Sequence, residues 1–300
     1  MEYRDWNMGT PPFGHYALSS WREKLRLLAG GPRHGSVQRI FTSLFRRISL
    51  IAHPDPFDLE IFKGQRARLY PRTNLCEKRV YARPDSWYHV ERQKISQIVC
   101  EHHIRKPLVF VDAGANVGLY SLFVLGEAND ANCPLRILAI EPDPTNRRRL
   151  AFNIEASNAL DEIEITDKAL GAKDERGALV FGGANRGEIR LATKDELANG
   201  PEEGFGESVT VDVVRLNRLF VDEKLEYVDI LKIDIEGGEA DVFKVFFKQA
   251  KRTLFPRWII LETISATGEA ALQACLSAGY EVDLQTRMNA VLKLQTKQDD

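Results

Sequence analysis

Val109-Phe110-Val111-Asp112-Ala113-Gly114-Ala115-Asn116-Val117-Gly118 is the stretch that decides how this 300-residue chain is read. An apolar run enters an acid and then a Gly-Ala-Asn-Val-Gly turn. That is the pattern of a buried parallel strand ending in a tight turn that opens a helix. Asp112 falls at the carboxyl end of the strand, where open α/β sheets bind ligands, and Gly114 and Gly118 let the backbone approach a ligand closely. Leu119, Tyr120, Leu122, Phe123 and Leu125 continue as a helix whose N-terminus points at the same crevice.

Dinucleotide folds carry G-x-G-x-x-G at this place, three glycines that make room for a pyrophosphate on the helix N-terminus. Here Asn116 replaces the middle glycine, so the phosphate cradle is incomplete and a ligand without phosphates is favoured.

Further acids end the later strands. Leu135–Ile140 reads as the second parallel strand and is followed by Glu141-Pro142, with Glu141 lying 23 residues after Gly118, where an acid accepts hydrogen bonds from ribose hydroxyls. Glu162–Thr166 is the third strand, and Asp167 behind it is a candidate for holding an adenine amino group. Tyr227–Asp234 is the fourth, followed by Ile235-Glu236-Gly237-Gly238-Glu239, and Trp258–Glu262 is the fifth. The fourth strand is expected beside the first, so Asp234, Glu236 and Glu239 converge on the opening turn. Acids also suit a helix N-terminus, which is the competing role for Glu239. Between Gly171 and Ser208 only Ala178–Phe181 reads as a strand, and this insertion on the ligand side is expected to be a substrate lid. Val209, Val211 and Val213 alternate as another strand, and 280–284 with 290–294 reads as a closing antiparallel hairpin.

The N-terminal part reads differently. A flexible start over 1–14 leads to a short helix through Trp21, Leu25 and Leu28, and then to a basic amphipathic helix after Ser36 with Ile40, Phe41 and Leu44 on its apolar side. Phe57–Leu69 alternates as a hairpin around Lys63-Gly64, and a helix from Ser86 with Ile95, Ile98 and Val99 precedes the first parallel strand. The expected division is therefore an extension over 1–85 and an α/β domain over 86–300. Residues 1–106 carry a net charge of +9 and the remainder −11. The basic helix could rest on an anionic membrane, but packing on its own protein is the favoured reading, and no nucleic-acid partner is expected. No apolar run reaches the roughly 18 residues that span a bilayer, and Met1–Asp5 lacks the order of a signal peptide, so a cytoplasmic protein is expected. Cys76, Cys100, Cys133 and Cys275 are too scattered for a zinc site or a disulfide framework.

Taken together, Asp112-Ala-Gly-Ala-Asn-Val-Gly118, Glu141-Pro142, Lys232-Ile-Asp-Ile-Glu-Gly-Gly-Glu239 and the strand ending at Glu262 resemble the FkbM family of S-adenosylmethionine-dependent methyltransferases. The resemblance covers roughly 86–265. It implies an α/β, Rossmann-like class I methyltransferase fold: a seven-stranded, mostly parallel sheet of order 3-2-1-4-5-7-6. It also implies O-methylation of a sugar, polyketide or related natural product, with a small molecule or glycan as acceptor. Asp112, Gly114, Asn116 and Gly118 would surround the methionine part of the cofactor, Glu141 its ribose, and Asp167 and Asp234 would complete the cofactor contacts. Glu91 matches an acid common in the family. The chain departs from the family pattern at Arg215-Leu216-Asn217, where a Thr-Leu-Asp is usual.

A sulfonium methyl is already activated, so the protein has only to align an oxygen and remove its proton. Asp234 is the candidate base, with Glu236 beside it. A Mg²⁺ held by Asp234 and Glu262 would serve equally by acidifying the hydroxyl. The alternative is a non-catalytic protein that keeps the cofactor fold and docks on a membrane or partner through its basic front.

Overall fold

The computed structural model describes residues 10–30, 54–102, 106–182, 189–192 and 205–295, together with positions 40, 44 and 196. Its centre is a seven-stranded sheet. In chain order the strands are β3 (Leu108–Ala113), β4 (Leu135–Ile140), β5 (Ile163–Thr166), β10 (Ile230–Ile233), β11 (Trp258–Glu262), β12 (Tyr280–Gln285) and β13 (Asn289–Leu294). They lie in the order β5-β4-β3-β10-β11-β13-β12, that is 3-2-1-4-5-7-6, as the family resemblance implies. The first five are parallel, and β13 runs antiparallel between β11 and β12. β3 and β10 are entirely buried, which is why neither shows the apolar–polar alternation of a half-exposed strand.

Helices cover both faces. α4 (Leu119–Asp130) follows β3, and α5 (Pro144–Ala156) follows β4 with Asp143 as its N-cap, accepting from Thr145 and Asn146 N–H, and with Pro144 in its first turn. α7 (Glu239–Gln249) follows β10, and α8 (Ala266–Ser277) follows β11. Two core clusters result, one on each face. Phe110, Leu122 and Ile137 belong to one; Val111, Phe243 and Phe246 belong to the other.

The expected lid region forms a second sheet. β6 (Ala169–Leu170), β7 (Glu175–Gly182), β8 (Ile189–Leu191) and β9 (Phe205–Val214) are ordered β6-β9-β7-β8. It is a wall of the cavity described below. The short helix expected at Leu216 is α6 (Leu216–Asp222); Arg215, at the departure from the family pattern, is held to Asp174 at 2.6 Å.

Ahead of the sheet, α1 (Ser20–Gly30) forms as expected, and the hairpin β1 (Phe57–Ile61) with β2 (Gln65–Leu69) forms in the expected register, Phe57 opposite Leu69 and Ile61 opposite Gln65. The residues just before α1 are not free of structure. Asp58 accepts from Gly14 and Tyr16 N–H, while Arg68 forks onto Asp58 at 2.7 and 2.9 Å and donates to the carbonyls of Pro11 and Pro12. A helix that the periodicity did not reveal, α2 (Leu75–Ala82), follows the hairpin. Its eight residues are too few for a helical period, and one of its buried positions is the acid Glu77, bonded to Tyr70 N–H and Arg149. The helix expected from Ser86 starts later, as α3 (His89–Glu101), because Tyr88 is left-handed and Trp87 packs ahead of the first turn. Phe57, Tyr81 and Trp87 lie in the same core cluster as Phe110 and Val117, so the hairpin and α2 share the core of the sheet. The basic helix after Ser36 lies outside the described residues apart from Ile40 and Leu44, both exposed. No helix among the described residues is long and apolar enough to cross a membrane.

Candidate active site

The turn after β3 folds back on β4: Gly114 and Ala115 N–H both donate to the carbonyl of Ile140 at 3.0 Å. Gly114 has φ +74°, and a Cβ at this position would run into the backbone carbonyl oxygen of Asp234. Only glycine lets the ends of β3 and β10 touch here. Asn116 is also left-handed, a conformation that asparagine tolerates. Its N–H donates to Glu141 Oε2 at 2.7 Å, while Glu141 Oε1 accepts from Asp143 N–H at 2.9 Å. Burial pushes the Glu141 carboxyl up to about 7, against the pull of these two N–H groups.

The other two residues of the expected motif point elsewhere. Asp112 is buried, its Oδ2 accepting from Ser121 N–H at 3.2 Å and Ser121 Oγ–H at 2.7 Å, its Oδ1 3.6 Å from Lys232 Nζ. It supports the turn from beneath and is not among the residues lining the cavity. Gly118, at φ +86°, faces the Leu150 side chain and allows α5 to pack against the start of α4.

Lys232 is the residue that the sequence reading left without a role. Its Nζ donates to the carbonyl of Gly114 at 2.8 Å and lies 3.8 Å from Asp234 as well as 3.6 Å from Asp112. Burial pulls its pKa down, but Asp234 and Asp112 outweigh that and the net shift is upward, so the amine is charged. The signal was a lysine inside a buried central strand, a position that requires paired charge.

These residues border a cavity of about 410 Å³, within the range of small-molecule sites. One part of its wall is apolar, from Ile140, Leu170, Leu179, Ile189 and Leu191, and suits a flat heterocycle. Lys168 is on this side of the lining; Asp167 is not, being exposed with its carboxylate 3.6 Å from Lys168 Nζ. Another part carries Asp234, Glu236 and Glu262. Burial raises the Glu262 pKa, and Asp234 and Glu239 add to the rise. Glu239 itself turns back to accept from Ile235 and Gly237 N–H at 3.0 and 3.1 Å, which is the helix-capping role. The remaining wall comes from before the parallel sheet and was not anticipated: Asn74, Leu75, Cys76, Arg79, Trp87 and Tyr88.

A Mg²⁺ site on Asp234 and Glu262 gains no support from this arrangement. The Lys232 ammonium already faces Asp234, and among the described residues no three His, Cys, Asp or Glu side chains gather around a point that could hold a metal.

Comparison with known proteins agrees with the motif reading. The "Methyltransferase FkbM domain" family model matches residues 112–282. "Methyltransferase sdnD" of Sordaria araneosa is 31% identical over 156 residues, covering 45% of this chain and 58% of that protein. "Methyltransferase 1" of Beauveria bassiana is 31% identical over 146 residues, covering 45% and 56%. The chain thus spans somewhat more than half the length of these curated relatives. The crystal structure of Methyltransferase FkbM from Methylobacillus flagellatus KT aligns with a TM-score of 0.39 at 16% identity, covering 73% of this chain and 54% of that one. With the family model spanning more than half of its length, from the acid that ends β3 into β12, the chain belongs to the FkbM methyltransferase family.

Proposed function

We propose that this protein is an S-adenosylmethionine-dependent O-methyltransferase acting on a hydroxyl of a small molecule or glycan, with a sugar, polyketide or related natural product as the acceptor class. The observation that carries the reading is the Gly114–Asp234 backbone contact beside the Glu141 carboxylate, at one edge of a cavity whose far side is apolar. The residues fit the cofactor. Glycine at 114 leaves the space that a Cβ would fill, Glu141 keeps lone pairs for ribose hydroxyls after its two N–H bonds, and the Leu170–Leu179–Leu191 side accepts an adenine ring. The bound cofactor supplies a methyl group on a positively charged sulfur.

The chain's own residues then have two tasks. They align the acceptor oxygen with the methyl group, and they take its proton. Asp234 has its side chain 39% exposed on the cavity wall and faces Lys232 across 3.8 Å, so it is held in place yet open to an acceptor. It is the proposed base. Glu236 also lines this side and narrows the space around the acceptor oxygen. Calorimetry with S-adenosylhomocysteine, followed by transfer of radiolabelled methyl to sugar, polyketide and lipid hydroxyls, tests the reading. Folded protein that binds no S-adenosylhomocysteine would rule it out.

A docking role through the N-terminal region is the second reading. Trp21, Leu27, Ile40 and Leu44 are all more than half exposed, and they belong to residues 1–106, the part of the chain with a net positive charge. Co-sedimentation with anionic vesicles tests it, and protein that stays in solution at low salt removes it.

A further inference from the structure

Four cations line the cavity, and three of them are matched. Lys168 pairs with Asp212 at 2.9 Å, Arg190 forks onto Glu196 at 2.7 Å through both terminal nitrogens, and Lys232 lies between Asp112 and Asp234. Arg79 is the fourth. Among the described residues no carboxylate lies within ion-pair distance of it and nothing accepts a hydrogen bond from its guanidinium.

An unmatched surface arginine is usually just solvated, but this one stands on a fixed base. α2 is capped by the Asn74 side chain, its Val80 and Tyr81 are fully buried, and Glu77 bonds to Tyr70 N–H at 2.6 Å and to Arg149. Cys76 and Arg79, three residues apart, share the face of α2 that meets the cavity. Asp234 lines the same cavity, and both the Cys76 thiol and the Tyr88 hydroxyl feel Asp234 and Arg79 together. The lining of this one cavity thus includes both a carboxylate and an unmatched guanidinium. Guanidinium is the side chain best shaped to take a carboxylate by two parallel N–H bonds.

We infer that Arg79 is the carboxylate-binding residue of this cavity, placed there by α2 from outside the family-matched segment. The inference rests on the reading of the cavity as a methyl-transfer site. A carboxylate can arrive from two sources, the amino-acid tail of the cofactor or an acidic group on the acceptor.

The test uses the full chain with Arg79→Gln and Arg79→Lys. S-Adenosylhomocysteine is compared by calorimetry with 5′-methylthioadenosine, which keeps the thioether nucleoside and lacks the amino-acid carboxylate. If the carboxylate is the cofactor's, Arg79→Gln weakens S-adenosylhomocysteine by about tenfold or more and leaves methylthioadenosine within about twofold, with Arg79→Lys in between. If it is the acceptor's, S-adenosylhomocysteine affinity is unchanged, but the wild-type complex binds glucuronate about tenfold tighter than glucose and Arg79→Gln removes that preference. The inference is overturned if Arg79→Gln changes neither, or weakens both nucleosides equally. Should wild-type protein bind neither nucleoside, the methyl-transfer reading falls by itself, and the glucuronate and glucose comparison on the free protein still decides Arg79.

Discussion

Asn74 Nδ2 donates to Asn116 Oδ1 at 3.1 Å, joining the helix that precedes the sheet to the turn at the heart of the site. The same side chain caps α2, its Oδ1 accepting from Cys76 and Glu77 N–H at 2.9 and 3.2 Å. A second link runs nearby: Arg68 N–H donates to Asn153, whose amide donates to the carbonyl of Val117. The N-terminal region therefore grips the turn at two consecutive residues. Asn74→Ser keeps a capping oxygen but cannot reach Asn116, so it should leave thermal stability nearly unchanged while weakening S-adenosylhomocysteine about three- to tenfold. Asn74→Ala should lose the cap as well, about 1 kcal/mol of stability. Equal affinity in wild type and Asn74→Ser would mean the link has no bearing on the ligand.

The two glycines of the turn should respond differently. Gly114→Ala drives a methyl group into the Asp234 backbone, which cannot yield without moving β10, so S-adenosylhomocysteine binding should be lost. Gly118→Ala meets the end of the flexible Leu150 side chain in a strained backbone, so the cost should appear chiefly as about 1–2 kcal/mol of stability. Denaturation midpoints and calorimetry on both variants separate the effects. Normal binding by a folded Gly114→Ala protein would contradict the contact.

Lys232 holds two carboxylates, one of them fully enclosed. Removing a single partner from such a group typically costs about 3–5 kcal/mol, so Lys232→Met should be severely destabilised. Adding Asp112→Asn to it removes the stranded charge and should recover part of the loss. If the double variant is no more stable than the single one in urea unfolding, Asp112 and Lys232 are not coupled.

Binding and chemistry should separate at Asp234. Asp234→Asn, nearly the same in size, is expected to keep cofactor affinity within a few fold while lowering turnover by about 10² or more on an identified acceptor. Full turnover in this variant would take Asp234 out of the mechanism.

The Glu141 carboxyl, pushed to about 7 by burial, makes cofactor binding depend on pH. Ribose hydroxyls donating to the ionised form lower its pKa in the complex, so affinity should rise as pH increases toward about 7 and level off above it. Glu141→Gln should flatten the profile, and a flat wild-type profile would exclude a ribose contact. Stability has the opposite slope. Glu77 is likewise raised to about 7 by burial, so in the ligand-free protein both acids contribute stability that is complete below the ordinary glutamate range and lost as pH rises through about 7. Melting temperatures between roughly pH 5 and pH 8 should show this fall, and Glu77→Gln should reduce it.

The sequence by itself determined the sheet. Apolar runs ended by Asp112, Glu141, Asp234 and Glu262, with glycines behind the first and third, are local signals of buried strands and tight turns, and they were sufficient for locating the crevice, while the strand order came from the family resemblance these motifs carry. Which way each side chain faces was decided by tertiary structure. An acid at a strand end can face the ligand or the layer beneath, and packing with Ser121 and Lys232 turned Asp112 inward while Glu141 stayed on the cavity wall. The same cause put Gly118 against Leu150, and Lys168 instead of Asp167 in the lining. The wall formed by α2, Trp87 and Tyr88 was beyond any local reading. Its place depends on long-range bonds such as Asn74 to Asn116 and Arg68 to Asn153, between residues whose separations of 42 and 85 positions leave no periodic trace in the chain.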